Sequence, residues 1–303
     1  MKPRTYHSNG KLLISGEYVV LDGALSLAIP TKYGQTLEIE PLKEHKIVWK
    51  SLDEKGLIWF EETFELHNGM LKQVQHHETS MRLIQILNAV KELNPDFLNS
   101  ENGFKITTKL DFPRDWGLGT SSTLINNIAK WAKVNPYDLL NKTFGGSGYD
   151  IACAQHQKPI TYKLLQGKPL VDEVNFFPDF KEHLYFVYLN KKQNSREGIA
   201  QYKANRDTSK LSISEISNIT AKMIACNKLQ DFELLITEHE KIISKIIKQK
   251  PVKELFLSDF NGALKSLGAW GGDFILATSQ ENPSSYFKSK GFDIVIPYTE
   301  MAL

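Results

Sequence analysis

The sequence has only two cysteines, Cys153 and Cys226, too few for a disulfide framework or a four-cysteine zinc site. It has no apolar run near the roughly 18 to 20 residues that cross a bilayer, so no membrane partner is expected. No sign of charge dominates. The 37 Lys and Arg against 35 Asp and Glu leave +2, which gives no broad field to collect nucleic acid or acidic lipid. Internal repeats and low-complexity tracts are lacking too. Residues 1–7 carry no apolar core of the kind a secretory signal needs, and with scarce cysteine the expected location is cytoplasmic. What remains is 41% apolar and 24% charged, the balance of an ordinary globular protein. The 303 residues give a prior of two domains.

Polar and apolar residues alternate over 35–40, 46–50 and 104–110, which predicts strands. Asp22-Gly23, Asn68-Gly69 and Asn102-Gly103 are turn dipeptides between such runs. Met81, Ile84, Leu87 and Val90 predict one helix by their spacing. Leu124, Ile128, Trp131 and Ala132 predict another, starting near Thr120 and stopping before Pro136. Beyond residue 165 the pattern changes to a buried strand at 184–189, helices near 213–228, 231–248 and 252–267, and strands near 273–278 and 292–297. Strands and helices mixed without regular alternation predict an α+β fold. The break is expected around Gly167-Lys168-Pro169, giving domains 1–168 and 169–303.

Four segments could carry chemistry. Trp116-Gly117-Leu118-Gly119-Thr120-Ser121-Ser122-Thr123 opens an amphipathic helix. Its glycines permit close backbone approach, and the first N–H groups of a helix favour an anion such as phosphate. A capped helix after a tight turn gives the same pattern. The common P-loop and dinucleotide fingerprints are absent by spelling. In Ser8-Asn9-Gly10-Lys11-Leu12-Leu13-Ile14-Ser15-Gly16-Glu17-Tyr18, Lys11 could reach an anion and Glu17 could hold a cation or a ribose. A strand–turn–strand with a surface lysine is the plainer reading. Gly145-Gly146-Ser147-Gly148-Tyr149-Asp150 places one carboxylate after a flexible turn, where it could take a hydroxyl proton or simply cap a turn. Lys265-Ser266-Leu267-Gly268-Ala269-Trp270-Gly271-Gly272-Asp273 either packs backbone over a ligand or turns a corner.

In order, G-K-L-x-x-x-G-E-Y, G-L-G-[ST]-S-[ST], G-S-G-x-D and G-A-x-G-G-D resemble the GHMP kinases, and among them the mevalonate and phosphomevalonate branch. The resemblance runs from Gly10 to Asp273. It implies a two-domain α+β fold, with an N-terminal ATP-binding domain similar to ribosomal protein S5 domain 2 and a ferredoxin-like C-terminal domain. It implies ATP and Mg²⁺ as cofactors, with the phosphates over Gly117, Leu118, Gly119, Thr120, Ser121 and Ser122, Ser122 contacting the metal, and Glu17 on the nucleotide side. Asp150 would be the base or orienting carboxylate, and Lys11 would hold the acceptor oxygen. Gly268, Ala269, Gly271 and Gly272 would shape the acceptor site, joined by Lys192, Ser195 and Arg196 from the run Lys191-Lys192-Gln193-Asn194-Ser195-Arg196. That run also reads as a solvated basic loop.

The implied activity is transfer of the γ-phosphoryl group to a small anionic or phosphorylated alcohol, mevalonate or phosphomevalonate. A binding regulator without turnover, or a kinase for a sugar or amino-acid alcohol, are the alternatives. Two departures stand out. The family glutamate before the aspartate is missing, where the sequence reads Tyr137-Asp138-Leu139-Leu140-Asn141, so Asp138 or water would complete the metal shell. Trp270 stands where a glycine is usual and could narrow the site, stack on a ligand or simply pack. His76-His77 is weak as a metal pair, since helix neighbours diverge. Residues 241–250 predict a basic amphipathic helix with a solvated face.

Overall fold

The computed structural model describes residues 3–67, 70–72, 77–99, 102–192, 195–204 and 209–303. In chain order its first elements are β1 (Arg4–Ser15), β2 (Ser26–Leu42), β3 (Lys46–Leu52), β4 (Ile58–His67), β5 (Met70–Lys72), α1 (Glu78–Leu93), β6 (Gly103–Leu110), α2 (Thr120–Ala132), α3 (Pro136–Thr143) and α4 (Tyr149–Gln155). There follow β7 (Ile160–Leu165), β8 (Lys168–Glu173), β9 (Leu184–Tyr188), α5 (Ser195–Ala204), α6 (Ser209–Ala225), α7 (Leu229–Ile247), α8 (Val252–Phe256), β10 (Leu264–Ser266), β11 (Phe274–Thr278), α9 (Ser284–Ser289), β12 (Val295–Pro297) and α10 (Tyr298–Met301). Strands and helices are mixed without regular alternation, as the α+β reading expects.

Two compact units emerge. One comprises Met1–Gly10, Tyr33–Arg114 and Leu118–Gln155, the other Lys11–Lys32, Asp115–Gly117 and His156–Leu303. The chain thus changes unit inside β1 and β2, briefly over 115–117, and again around residue 155. Residues 166 and 167, beside the expected break, form the two-residue turn of the β7–β8 hairpin. Gln166 and Gly167 both have positive φ there, 52° and 77°, and Leu165 pairs with Lys168. A glycine–proline cluster marks a turn, and here the turn joins paired strands.

In the first unit the strand order is β5-β4-β3-β6-β2, antiparallel except for the β3–β6 pair. The predicted alternation holds: Leu37, Ile39, Ile47, Trp49 and Ile106 all point into one core with helices α1 to α4. On α1 the buried face is Leu83, Ile86, Leu87 and Val90, whereas Met81 is exposed, so the expected stripe is rotated. Both sets have helical spacing, and packing decides between them. Helix α2 begins at Thr120 and ends before Pro136, as predicted. It is buried on nearly every side, including its two asparagines, Asn126 and Asn127. The Asn68-Gly69 turn and His76 lie outside the described residues. His77 caps α1, its Nδ1 accepting the N–H of Thr79 at 3.2 Å.

In the second unit, the start of β2 pairs with β7. A separate antiparallel sheet runs β10-β11-β9-β12. Every residue of β9 and β11 is buried, matching their unbroken apolar spelling. The helix expected over 252–267 is a correction: it is the five-residue α8, and 264–266 is a strand paired with β11. Helix α7 is amphipathic, burying Phe232, Ile236, His239, Glu240, Ile243 and Ile246. Among the described residues no helix is long and apolar enough to cross a membrane.

Candidate functional site

The hydroxyl-rich turn begins α2 without a side-chain cap. Gly119 sits at the cap position with φ 101° and has no side chain with which to cap the first N–H groups of the helix. Those donors and the positive helix end suit an anion. The three hydroxyls differ in access: Ser121 is exposed, Thr120 half-buried and Ser122 buried. The hydroxyl of Ser122 donates to the Gly119 carbonyl at 2.9 Å, and the exposed hydroxyl of the turn is that of Ser121.

A ladder of buried polar side chains holds this helix. Thr123 donates to Gln35 Oε1 at 2.9 Å, and Asn127 donates to the Gln35 carbonyl at 2.9 Å. Ser8 donates to Asn127 Oδ1 at 2.7 Å, and Asn126 donates to Ser8 Oγ at 2.8 Å and to the Ala154 carbonyl at 3.3 Å. Gln155 Nε2 closes the ladder on Asn126 Oδ1 at 3.1 Å. Buried amides are kept only when bonded, and here they fix α2 against β1, β2 and α4.

Asp150 lies in the first turn of α4, half-buried, with Oδ1 accepting the N–H of Ile151 at 3.0 Å. The ladder therefore ties the helix carrying Asp150 to the helix carrying the hydroxyl turn. Of the stretch 137–141, Tyr137 feels this carboxylate. Burial, then the charges of Asp150 and Cys153, push its phenol up to about 12. Asp138 is exposed. Tyr137 carried no sequence signal beyond its place after Asn135-Pro136, which cap α3.

Asn9 and Gly10, at the end of the first unit's part of β1, make no turn, since the strand runs unbroken through them into the second unit. Lys11 is half-buried and donates to the Gly117 carbonyl at 2.8 Å. Gly117 has φ 67°, and a Cβ there would fall on the carboxylate of Asp273, so glycine is required twice over. Asp273 itself has φ 51°. Its backbone is held by Lys191, whose carbonyl accepts the Asp273 N–H at 2.6 Å, and by Leu189, which donates to Asp273 at 2.8 Å. Burial first, then Asp115 and Asp273, push the Tyr188 phenol up.

Residues Gly268, Trp270, Gly271 and Asp273 all have positive φ, an unusual run of left-handed backbone for a segment containing a tryptophan and an aspartate. Trp270 is buried, and its indole N–H has no hydrogen-bond partner among the described residues. Ala269 accepts the phenol proton of Tyr18 at 2.9 Å. Lys192 is exposed. Ser195 and Arg196 begin α5, while Gln193 and Asn194 lie outside the described residues.

Glu17 is fully buried, with Oε1 2.5 Å from Lys265 Nζ. Its carboxylate is committed to an internal ion pair rather than offered to a ligand. Burial pushes it above the ordinary carboxylate range, with Lys265 opposing. Sequence reasoning passed over its partners His239 and Glu240 because they sit within an amphipathic helix, where charged residues read as a solvated face.

No family model matches the chain, and no curated protein matches it in sequence. Solved structures do match in fold. Methanococcus jannaschii mevalonate kinase is similar at TM-score 0.71 and 18% identity, over 96% of this chain and 95% of that one. The chain has the GHMP kinase fold. Streptococcus pneumoniae phosphomevalonate kinase, solved with phosphomevalonate and AMPPNP, matches at TM-score 0.69 and 15% identity, over 99% and 98% of the two chains. Lactococcus lactis galactokinase, complexed with galactose, matches at 0.68 and 15%, over 95% and 88%.

Proposed function

We propose that this GHMP-fold chain is an ATP-dependent kinase that transfers the γ-phosphoryl group to a small anionic alcohol, mevalonate or phosphomevalonate. The observation that carries the reading is the uncapped N-terminus of α2, where glycines in left-handed backbone and an exposed hydroxyl precede a helix anchored by buried amides. Phosphoryl transfer asks mainly for positioning and charge neutralisation, and such a turn supplies both to a triphosphate.

In this reading Gly117 to Ser122 take the ATP phosphates, and Lys11 offsets charge developing near the acceptor oxygen. With mevalonate, Asp150 accepts the hydroxyl proton. With phosphomevalonate the acceptor oxygen is already deprotonated, and Asp150 orients it. Mg²⁺ binds through one or two carboxylates together with substrate phosphates. Asp150 is such a carboxylate, and the hydroxyls of the turn would add a ligand oxygen, Ser121 from an exposed position and Ser122 through a lone pair while its proton stays on the Gly119 carbonyl. When bound, the ion would neutralise the phosphate oxygens. Gly268, Ala269, Gly271, Gly272, Lys192, Ser195 and Arg196 are assigned to the acceptor, and Glu17 to support of the fold beneath them. The cytoplasm is the proposed location.

The test is steady-state kinetics on Asp150→Asn and Lys11→Met. Asp150→Asn should lower kcat by about a hundredfold or more, with ATP affinity nearly unchanged. An unchanged kcat removes Asp150 from the chemistry, and full turnover in Lys11→Met makes that lysine structural.

A further inference from the structure

The second unit buries a cluster of ionisable groups that the proposed reaction does not use. Glu17, Lys265 and His239 have no exposure, and Glu240 has 4%. Lys265 Nζ lies 2.5 Å from Glu17 Oε1 and 3.9 Å from Glu240 Oε1, and Glu17 Oε2 lies 3.3 Å from His239 Nε2. Gly16 N–H donates to His239 Nε2 at 3.0 Å, which places the ring proton on Nδ1. Ser266 donates to Glu240 Oε2 at 2.9 Å.

Such a cluster is poor value as a source of stability. Buried ion pairs cost about as much in desolvation as they return, and apolar residues of the same volume often do as well. This one also leaves Glu240 Oε1 and His239 Nδ1 without hydrogen-bond partners among the described residues. Its geometry points elsewhere. The segment opening the glycine-rich loop 268–272 is pinned at three successive places: Lys265 by Glu17, Ser266 by Glu240, and Ala269 by the hydroxyl of Tyr18. The residue after the cluster's own Glu17 is thus the one that holds the loop backbone.

We propose that Glu240 is a positioning residue for the loop 268–272, acting through Ser266 and Lys265, so that its charge state sets acceptor affinity and leaves ATP affinity alone. The word acceptor rests on the kinase reading; the ordering of the loop does not. The groups that face Glu240 are Glu17 from the turn after β1 and Lys265 and Ser266 from β10, while the adjacent His239 turns to Glu17 and Gly16. Burial pushes Glu240 up to about 8, with Lys265 opposing and Glu17 adding to the rise. Around neutral pH the protonated form therefore dominates, and ionisation above that value adds negative charge beside Glu17.

The experiment uses the full chain, with mevalonate and phosphomevalonate as probes, and compares Glu240→Gln with Glu240→Ala. In the unaltered protein the acceptor KM should climb as pH passes about 8 while the ATP KM stays flat. Glu240→Gln keeps an acceptor for Ser266 without a titrating proton. It should hold the neutral-pH acceptor KM within about twofold and abolish the alkaline climb. Glu240→Ala should raise acceptor KM about tenfold, equivalent to about 1.4 kcal/mol, with ATP KM within about twofold. Amide hydrogen exchange over 267–273 should speed up in Glu240→Ala and stay slow in Glu240→Gln at neutral pH.

Equal effects of Glu240→Ala on both substrates, or unchanged exchange in the loop, overturn the proposal. If neither probe is turned over, the kinase reading fails and the exchange comparison alone decides the positioning role. If Glu240→Ala does not fold, Glu240→Gln at pH about 9 decides it, since loop exchange matching the unaltered protein there overturns the claim.

Discussion

The buried cluster makes folding stability depend on pH in a direction that follows from its geometry. Glu240 carries its proton up to about 8 in the folded chain, against an ordinary value of 4.5. Between those values the folded state holds a proton that the unfolded state has lost, so stability falls as pH rises and levels off above about 8. The difference of 3.5 units, 8 minus 4.5, sets a ceiling near 5 kcal/mol at about 1.4 kcal/mol per unit. Relaxation of the site in the charged state brings the expected loss to a few kcal/mol.

The perturbation is Glu240→Gln, which removes the titration and keeps the shape. Urea unfolding at pH values from about 5 to 9 reads it through the midpoint, with a constant m-value as the check on two-state behaviour. The variant should match or trail the unaltered protein at the acid end and exceed it by a few kcal/mol at the alkaline end. Parallel curves across the range would mean that Glu240 titrates alike in the folded and unfolded states, and would rule out its raised titration in the fold.

His239 works in the opposite sense. Burial holds its ring well below the ordinary imidazole range, with Lys265 adding to the effect. The stability it contributes is present above about 6.5 and lost as pH falls; His239→Gln should flatten that acid limb in the same unfolding series. Gly117→Ala should cost about 1–2 kcal/mol for the left-handed backbone alone, and turnover should fall further because the new methyl meets the Asp273 carboxylate and shifts the turn proposed to hold the phosphates, read by thermal shift beside kcat. Gly198 on α5 faces the Tyr18 hydroxyl, and a Cβ there would collide with it. Gly198→Ala should therefore lower the melting temperature, and adding Tyr18→Phe, which by itself gives up the bond to Ala269, should lower it by less than the two single losses added, a non-additive result that separate sites do not give. Asn126→Ala strands Ser8 and Gln155 and should cost about 1–3 kcal/mol on chemical denaturation, with a drop in kcat because α4 loses an anchor.

The parts of the fold that were legible are those where side-chain period alone decides. The strand alternation over 35–40, 46–50 and 104–110 and the start of α2 at Thr120 came through because each has one buried face and clear ends. Helix α1 had two stripes of helical spacing, and only the sheet beneath it selects Leu83 and Ile86 over Met81 and Ile84. The short α3 and α4 escaped because seven or eight residues carry too few turns to show a period. The division into units was hidden because it runs through the middle of β1 and β2, where no linker composition can mark it.

At the candidate site, the glycine and hydroxyl segments stand out by spelling, but the side chains that support them do not. Asn126, Asn127, His239 and Glu240 are polar residues on helices, and composition sends such residues to the surface. Glu17 illustrates the same limit in reverse: a carboxylate beside a glycine reads as available, and a lysine 248 positions away takes it. Partners that far apart in the chain leave no local pattern.

The uncapped turn at α2 is proposed to serve phosphoryl transfer from ATP. Coupled-assay measurement of ADP release by the purified chain, with mevalonate, phosphomevalonate, homoserine and several sugars offered in turn, tests it most directly. ADP release should require mevalonate or phosphomevalonate and Mg²⁺ and fall by about a hundredfold in Asp150→Asn. ADP release at the same rate with and without every acceptor, or release with an acceptor that is indifferent to Asp150→Asn, would contradict it.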